Sequence, residues 1–395
     1  MVFLSRARGR LRAMPWKRRV NAILDGWQGW CVRARMSAPS SVAARRAIAR
    51  VACLVAVVVG LLVCASTVAG CTPATNDSAT LVLGAYTTPR EAYGRAILPA
   101  FRAHAKETLG ITVDVRESYL ASGAQARAIV GGFDADVAAL SLSPDIDVLV
   151  EAGLVKSTWR ASLDKSEGIV HRSIVVIGVR EGNPKGIRDW GDLAREGVDV
   201  LTPNVKTSGG AMWNVLALYG AVWRAAKGEP IERAATAERA LADVLKNVRV
   251  MDRGARDSLL TFERGVGDAI ITYENELLVG RAAGQRYEIV VPSSTILIEN
   301  PVAIVDSVVE KRGTRALAES FVRFLVTPAA QRAFAAHGLR PVDEEIARAT
   351  AGEFSVARDV FRVEDLGGWP VVLRDVFADD ALYARALSAS RDGAP

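Results

Sequence analysis

Short apolar runs rich in β-branched side chains alternate with longer stretches whose apolar residues recur at helical spacing. That alternation limits the fold more than any other feature of the chain. Residues 81–85, 111–115, 137–140, 174–179, 198–201, 248–251, 269–272, 287–291 and 302–305 read as strands. Between them, Tyr93, Ile97, Phe101 and Ala105 line one helical face, and Met212, Val215, Leu216 and Tyr219 line another. Residues 146–150, 231–246, 317–325 and 328–334 are further helices. The pattern is that of an α/β fold with mainly parallel sheets, and open sheets of this kind bind ligands at the carboxyl ends of their strands.

Four strand-to-helix turns share a composition suited to that role. Tyr86-Thr87-Thr88-Pro89, Ala121-Ser122-Gly123, Ser208-Gly209-Gly210 and Gly254-Ala255 are poor in acids and place small or hydroxyl residues at a helix start. A helix start carries unpaired N–H groups and about half a positive charge, which makes it a seat for anions. Glycine lets the backbone itself touch the ligand. One such turn is an ordinary N-cap; four in one α/β chain point to backbone amides converging on an anion.

The formal charge of +6 belongs to one end of the chain. Residues 1–70 carry twelve Lys and Arg against the single acid Asp25, which leaves 38 basic and 43 acidic side chains in the remainder. Nucleic-acid binding by the body is therefore not expected. Residues 51–69 are uncharged, follow Arg45, Arg46 and Arg50, and end in Val68-Ala69-Gly70-Cys71. A basic segment, an apolar segment and a small-residue site make an export signal, and this ending resembles a bacterial lipobox. The expectation is a leader over 1–70, with Met36 as its true start, lipidation of Cys71, and a small polar tether over 71–80.

Other chemistries lack their residues. Cys31, Cys53 and Cys64 lie in the leader and no cysteine follows Cys71, so the body has no disulfide, thiol nucleophile or cysteine metal site. His104, His171 and His337 have no ligand spacing and are expected to be surface or satisfied structural residues. Neither Gly-x-Ser-x-Gly nor Gly-x-x-x-x-Gly-Lys-Ser/Thr occurs. Glu274 and Glu276, two apart, point away from each other and are expected to be hinge hydrogen-bond partners or solvated residues.

The run Thr202-Pro203-Asn204-Val205-Lys206-Thr207-Ser208-Gly209-Gly210-Ala211-Met212-Trp213-Asn214 resembles that of the periplasmic sulfate-binding proteins, the sulfate and thiosulfate receptors of ABC importers. The resemblance continues in order through Ala135-Asp136-Val137, Asp145-Ile146-Asp147, Val179-Arg180-Glu181-Gly182-Asn183-Pro184-Lys185-Gly186, Asp252-Arg253-Gly254-Ala255-Arg256, Tyr273-Glu274-Asn275-Glu276 and Gly367-Gly368-Trp369. It implies a two-lobed periplasmic-binding-protein fold of type II, each lobe a mainly parallel sheet flanked by helices. Lobe 1 would be 80–170 plus 294–395 and lobe 2 would be 171–293, with crossings near Ile174 and Pro292. The implied protein is a monomer without cofactor or metal. It would be anchored outside the cytoplasm by Cys71 alone and would hand its ion to ABC permease subunits.

By the same resemblance the ion's donors are the Ser208 hydroxyl and the amides of Gly209, Gly210, Ala255, Ser122 and Thr87. The family's last donor is a tryptophan indole, where this chain has Tyr273. The family also has an acid where Thr87 stands and a more glycine-rich loop before Ser122. A phenol donates as an indole does, but it also accepts. Sulfate offers only acceptor oxygens, whereas hydrogen phosphate brings a proton whose burial without a partner costs about 1–3 kcal/mol. An all-donor site therefore favours sulfate or thiosulfate. Receptors for molybdate or phosphate are the alternative, and a hydrolase reusing Ser208 is a more distant one because no base lies near that motif.

Overall fold

The computed structural model describes residues 78–392 apart from 164, so the expected leader, Met36, Cys71 and most of the tether lie outside the described residues. The first strand, β1 (Ser78–Tyr86), runs into a short helix, Arg90–Ala92, a π-helical turn, Tyr93–Ile97, and α1 (Leu98–Leu109). Then come β2 (Thr112–Leu120), α2 (Ser122–Val130), β3 (Val137–Ala139), α3 (Ser143–Glu151) and β4 (Ile169–Arg180). The middle of the chain holds β5 (Val200–Leu201), α4 (Gly209–Ala225), α5 (Pro230–Lys246), β6 (Val248–Val250), α6 (Ala255–Glu263), β7 (Ala269–Tyr273), α7 (Glu274–Ala282) and β8 (Tyr287–Val290). The chain returns through β9 (Ser294–Ile304), α8 (Asp306–Arg312), α9 (Arg315–Leu325), α10 (Pro328–Ala335), β10 (Arg340–Pro341), α11 (Glu344–Ala349) and β11 (Asp359–Phe361), and closes with α12 (Trp369–Val372) and α13 (Leu382–Asp392).

The strands form one sheet in the order β2-β1-β3-β9-β4-β7-β5-β6, and β10, β8 and β11 attach beside it. Pairing is parallel within the β2-β1-β3 wing and within the β6-β5-β7 wing. It is antiparallel at the seam, where β9 meets β3 and β4, and β4 meets β7. The two long strands β4 and β9 pair with each other over 169–174 and 297–301, and each carries on into its own wing. A β-bulge lies between Ile169 and His171, opposite Pro301, whose ring nitrogen has no hydrogen to give a ladder. The sequence reading places a strand only over 302–305, whereas β9 begins at Ser294 and runs on through Asn300-Pro301 with the bulge opposite.

Each wing packs its own core. Leu81, Leu83, Phe101, Val302 and Phe321 are buried in the first, and Phe101 meets Phe321 edge-on with ring centroids 4.9 Å apart. Val175, Ile177, Trp213, Leu216 and Ile271 are buried in the second. Helix α4 lies deep, with twelve of its seventeen residues buried, as its nearly continuous apolar sequence requires. Full burial of each large apolar side chain contributes roughly 1.5–3 kcal/mol.

The first helix differs from the pattern read in the sequence. Pro89 stands at its N-cap position, and the chain widens to the π-helical turn before α1 begins. Pro99 explains this: it cannot bond the carbonyl four residues back, and its ring crowds that carbonyl.

Asp136 fastens β3 to its surroundings from full burial. Its Oδ2 accepts from the Val82 amide at 2.7 Å and from Arg312 Nη1 at 2.6 Å, and its Oδ1 accepts from Thr314 Oγ1 at 2.5 Å. Replacing Asp136 by Ala leaves the Arg312 guanidinium without its buried partner. The expected outcome is a loss of about 3–5 kcal/mol in stability, read from the shift of a urea denaturation curve.

Candidate functional site

The turn between β5 and α4 is wound by local bonds. The Ser208 amide donates to the Asn204 carbonyl at 2.9 Å, and Thr207 Oγ1 donates to the Arg253 carbonyl at 2.7 Å, which ties this turn to the one before α6. Ser208 is extended, with φ −114° and ψ 118°, and its side chain makes no cap bond to its own helix. Helix α4 is anchored behind it. Asn214 Nδ2 donates to Thr202 Oγ1 at 3.0 Å and to the Ile271 carbonyl at 2.8 Å, and Trp213 Nε1 donates to the Ser141 carbonyl at 3.0 Å.

Three helix starts meet at this point. A Cβ added to Gly210 would lie 3.1 Å from the Tyr273 ring, 3.3 Å from the Ala255 Cβ and 3.4 Å from Ser208 Oγ. One added to Gly254 would lie 3.4 Å from the Ala121 Cβ, and one added to Gly123 would lie 3.4 Å from the Thr207 carbonyl. Ser208, Gly209, Gly210, Ala255, Tyr273 and Ser122 are thereby gathered from four separate parts of the chain. Thr87 sits next to Thr88, whose carbonyl is 3.4 Å from Arg256 Nη2 in the first turn of α6. Among the described residues, no acceptor meets the amides of Thr87, Ser122, Gly209, Gly210 or Ala255. Helices α2 and α4 have no acid in their own first turns, though Asp145 of α3 lies against the start of α2 through Ser122.

Two hydroxyls here are already engaged. Ser122 Oγ donates to Asp145 Oδ2 and accepts from the Ser141 amide at 2.8 Å, so its side chain is spoken for and its amide is not. The Tyr273 hydroxyl is 2.7 Å from Ser141 Oγ, with both residues buried. Burial pushes the Tyr273 hydroxyl's pKa above its ordinary value, so the phenol keeps its proton. Ser141 and Asp145 were not reached by reading the sequence for helix starts. Ser141 follows β3, whose carboxyl end is where such sheets place ligand residues, and that was the available signal.

The charged groups behind the helix starts pair off. Arg256 Nη2 lies 2.9 Å from Glu276 Oε2 and 2.8 Å from Glu91 Oε2, which joins α6 to the segment after β1. Glu276 is fully buried; burial pushes its carboxyl up, and Arg256 pulls it back down. Glu274 is likewise buried and holds Arg340 through contacts of 2.8 and 3.1 Å and the Ser355 amide at 2.7 Å. Neither glutamate is solvated, which corrects one of the two sequence-based expectations for them; a lone carboxylate at this depth would be too costly, and each instead has an arginine. His171 is also buried rather than at the surface. It lies against Phe334 at 4.8 Å with its Nδ1 unpartnered, and burial lowers its pKa to about 3.

The arrangement offers neutral donors in a place that excludes water. The nearby arginine is neutralised by two carboxylates, and no His, Cys, Asp or Glu cluster able to hold a metal occurs among the described residues. Backbone amides and hydroxyls at helix starts can hold an anion without a counter-charge in contact.

Residues 81–340 match the model of a family described as bacterial extracellular solute-binding protein. The chain is 38% identical over 313 residues to a sulfate-binding protein of Synechococcus elongatus, covering 78% of this chain and 87% of that one. It is 33% identical over 317 residues to a thiosulfate-binding protein of Escherichia coli, covering 79% and 92%. Among solved structures, the sulfate-binding protein SubI from Mycobacterium tuberculosis superposes with a TM-score of 0.70 at 36% identity, covering 76% of this chain and 99% of that one. A periplasmic thiamin-binding protein, at 14% identity and a TM-score of 0.60, shares the fold.

Asp145 makes the site sensitive to acid. Burial raises its carboxyl from the ordinary carboxylate range to about 6, against the lowering effects of the Ser122 hydroxyl and Arg127. Because the folded value lies above the unfolded one, this group adds stability below the ordinary carboxylate range and loses it as pH rises through about 6. An anion held beside it raises that value further, so protonation and anion binding favour each other. A further rise of about one unit makes a fully ionised anion bind about tenfold tighter at pH 5 than at pH 8. Titration calorimetry across that range should show the difference, and Asp145→Asn should abolish it.

Proposed function

Because the chain belongs to the bacterial extracellular solute-binding proteins, among the sulfate- and thiosulfate-binding members, we propose that it captures sulfate or thiosulfate between two lobes and delivers the ion to an ABC permease. The observation that carries this reading is the meeting of Ser208, Gly209, Gly210, Ala255 and Tyr273 around one point, with the Ser122 turn packed alongside. In this reading the Ser208 hydroxyl and the amides of Thr87, Ser122, Gly209, Gly210 and Ala255 donate to the ion, and Tyr273 stands at the edge of the seat. A fully ionised tetrahedral anion takes only donors, and helix starts supply them already oriented, so little ordering cost falls on binding.

Lobe 1 is 80–170 with the earlier part of 294–395, and lobe 2 is 171–293 joined by the closing segment 359–392; Phe361, Val363, Val372, Leu382 and Ala386 are buried with Trp213 and Leu216, which corrects the expectation that all of 294–395 belongs to lobe 1. The seam strands β4 and β9 act as the hinge between them, and the Arg256–Glu91 pair at 2.8 Å draws the two closed. Closure buries the ion and presents one composite face to the membrane partner. The protein works as a monomer held at the outer face of the membrane by a lipidated Cys71, and it needs no cofactor. A carrier role fits better than catalysis: among the described residues, Ser208 has no hydrogen bond to a histidine or carboxylate that would make it a nucleophile.

Substituting Ser208 by Ala removes one buried donor to the ion. The expected outcome is a loss of about 1.5–3 kcal/mol, roughly 10–150-fold in affinity for sulfate, measured by titration calorimetry; unchanged affinity would place the ion elsewhere. Sulfate, thiosulfate, molybdate and phosphate titrated in parallel rank the ligands, and a preference for molybdate would overturn the assignment. In cells, Cys71→Ser should move the protein from the membrane fraction to the soluble one.

A further inference from the structure

Ser141 uses every polar atom it has. Its amide donates to Ser122 Oγ at 2.8 Å, and its carbonyl accepts from Trp213 Nε1 at 3.0 Å and from Asn300 Nδ2 at 3.1 Å. Its hydroxyl lies 2.7 Å from that of Tyr273. The same hydroxyl rests on the start of α4: a Cβ at Gly209 would come within 2.7 Å of Ser141 Oγ, so that position admits only glycine while Ser141 is there. The Tyr273 ring edge in turn lies against Gly210, where a Cβ would come 3.1 Å from it. The two-hydroxyl pair therefore sits against the helix starts, sealed from water.

A hydroxyl pair has two hydrogens, and the bond between the pair uses one of them. In one arrangement Ser141 donates to Tyr273, and the phenol's own hydrogen is free for a ligand oxygen. In the other Tyr273 donates to Ser141, and the phenol's lone pair is free to accept. The second arrangement leaves the Ser141 hydrogen in need of an acceptor, and Asn300 Oδ1 is buried without a partner on the amide that already holds the Ser141 carbonyl. A site lined by amides alone has no such choice, because an N–H only donates.

We propose that Ser141 sets the protonation class of ligand this cleft accepts. By reversing its hydrogen bond with Tyr273, it lets the phenol meet either a fully ionised tetrahedral oxyanion or a singly protonated one such as hydrogen phosphate. The inference rests on the reading of this cleft as the oxyanion seat. Sulfate remains the preferred ligand, and hydrogen phosphate becomes a second one.

Titration calorimetry with sulfate and with inorganic phosphate at pH 8, where phosphate carries a single proton, tests the idea on the full chain. The unsubstituted protein should bind both, sulfate more tightly. In Ser141→Ala the phenol has lost the partner that takes its hydrogen when it accepts. Phosphate affinity should then fall about tenfold further than sulfate affinity. Ser141→Thr keeps the hydroxyl and should keep the ratio of the two affinities. Tyr273→Phe should abolish phosphate binding and leave sulfate within about tenfold of its starting affinity. A merely structural role for Ser141 would weaken both ions alike, and that result overturns the proposal. So does sulfate binding without any phosphate response in the unsubstituted protein, a result that leaves the sulfate reading intact. Binding of neither ion overturns both.

Discussion

An amide left without an acceptor in a dry interior costs about 1–3 kcal/mol, and this structure keeps several of them side by side. Helices α2, α4 and α6 begin where their parallel strands end, and their first amides are spared bonds within the helix. Most of what surrounds them holds them in place. Asn214 and Trp213 fix the start of α4 to β7 and to the turn after β3, and Thr207 binds that start to the turn before α6. The unfavourable burial is tolerable because the seam and the two wing cores supply stabilisation far from it.

Charge is handled by a different rule. Each buried carboxylate near the helix starts has a partner: Glu276 an ion pair with Arg256, Glu274 the Arg340 guanidinium, and Asp145 the Ser122 hydroxyl. Arg256 and Arg340 are thus consumed by the protein itself, and peptide dipoles face the seat at the helix starts. A dipolar seat attracts an anion less strongly than a free guanidinium does, but it also demands less desolvation.

What could be read in the sequence was what depends on near neighbours. Strand and helix alternation follows from local periodicity, and the turns at Ser122, Ser208 and Ala255 follow from residue types within a few positions of each other. Ser141 was hidden because its meaning lies in Tyr273, 132 residues away. For the same reason Glu274 and Glu276 could be read only as hinge hydrogen-bond partners or solvated residues, with no partner named: Arg340 is 66 residues from Glu274. The antiparallel seam was equally invisible, since a buried apolar strand reads alike in either direction. Pairing over long separations leaves no periodic trace, so the helix starts came out of the sequence while their distant partners did not.

His171 lies on β4 at the seam, next to that bulge, and remains neutral down to about pH 3 while folded. An unfolded chain takes up that proton near the ordinary histidine value, so acid below that value favours the opened chain. Asp145 responds the other way, since a proton there removes charge from beside the helix starts. Acid thus acts on Asp145 beside the helix starts and on His171 at the seam in ways that pull the pH response of the folded chain in opposite directions.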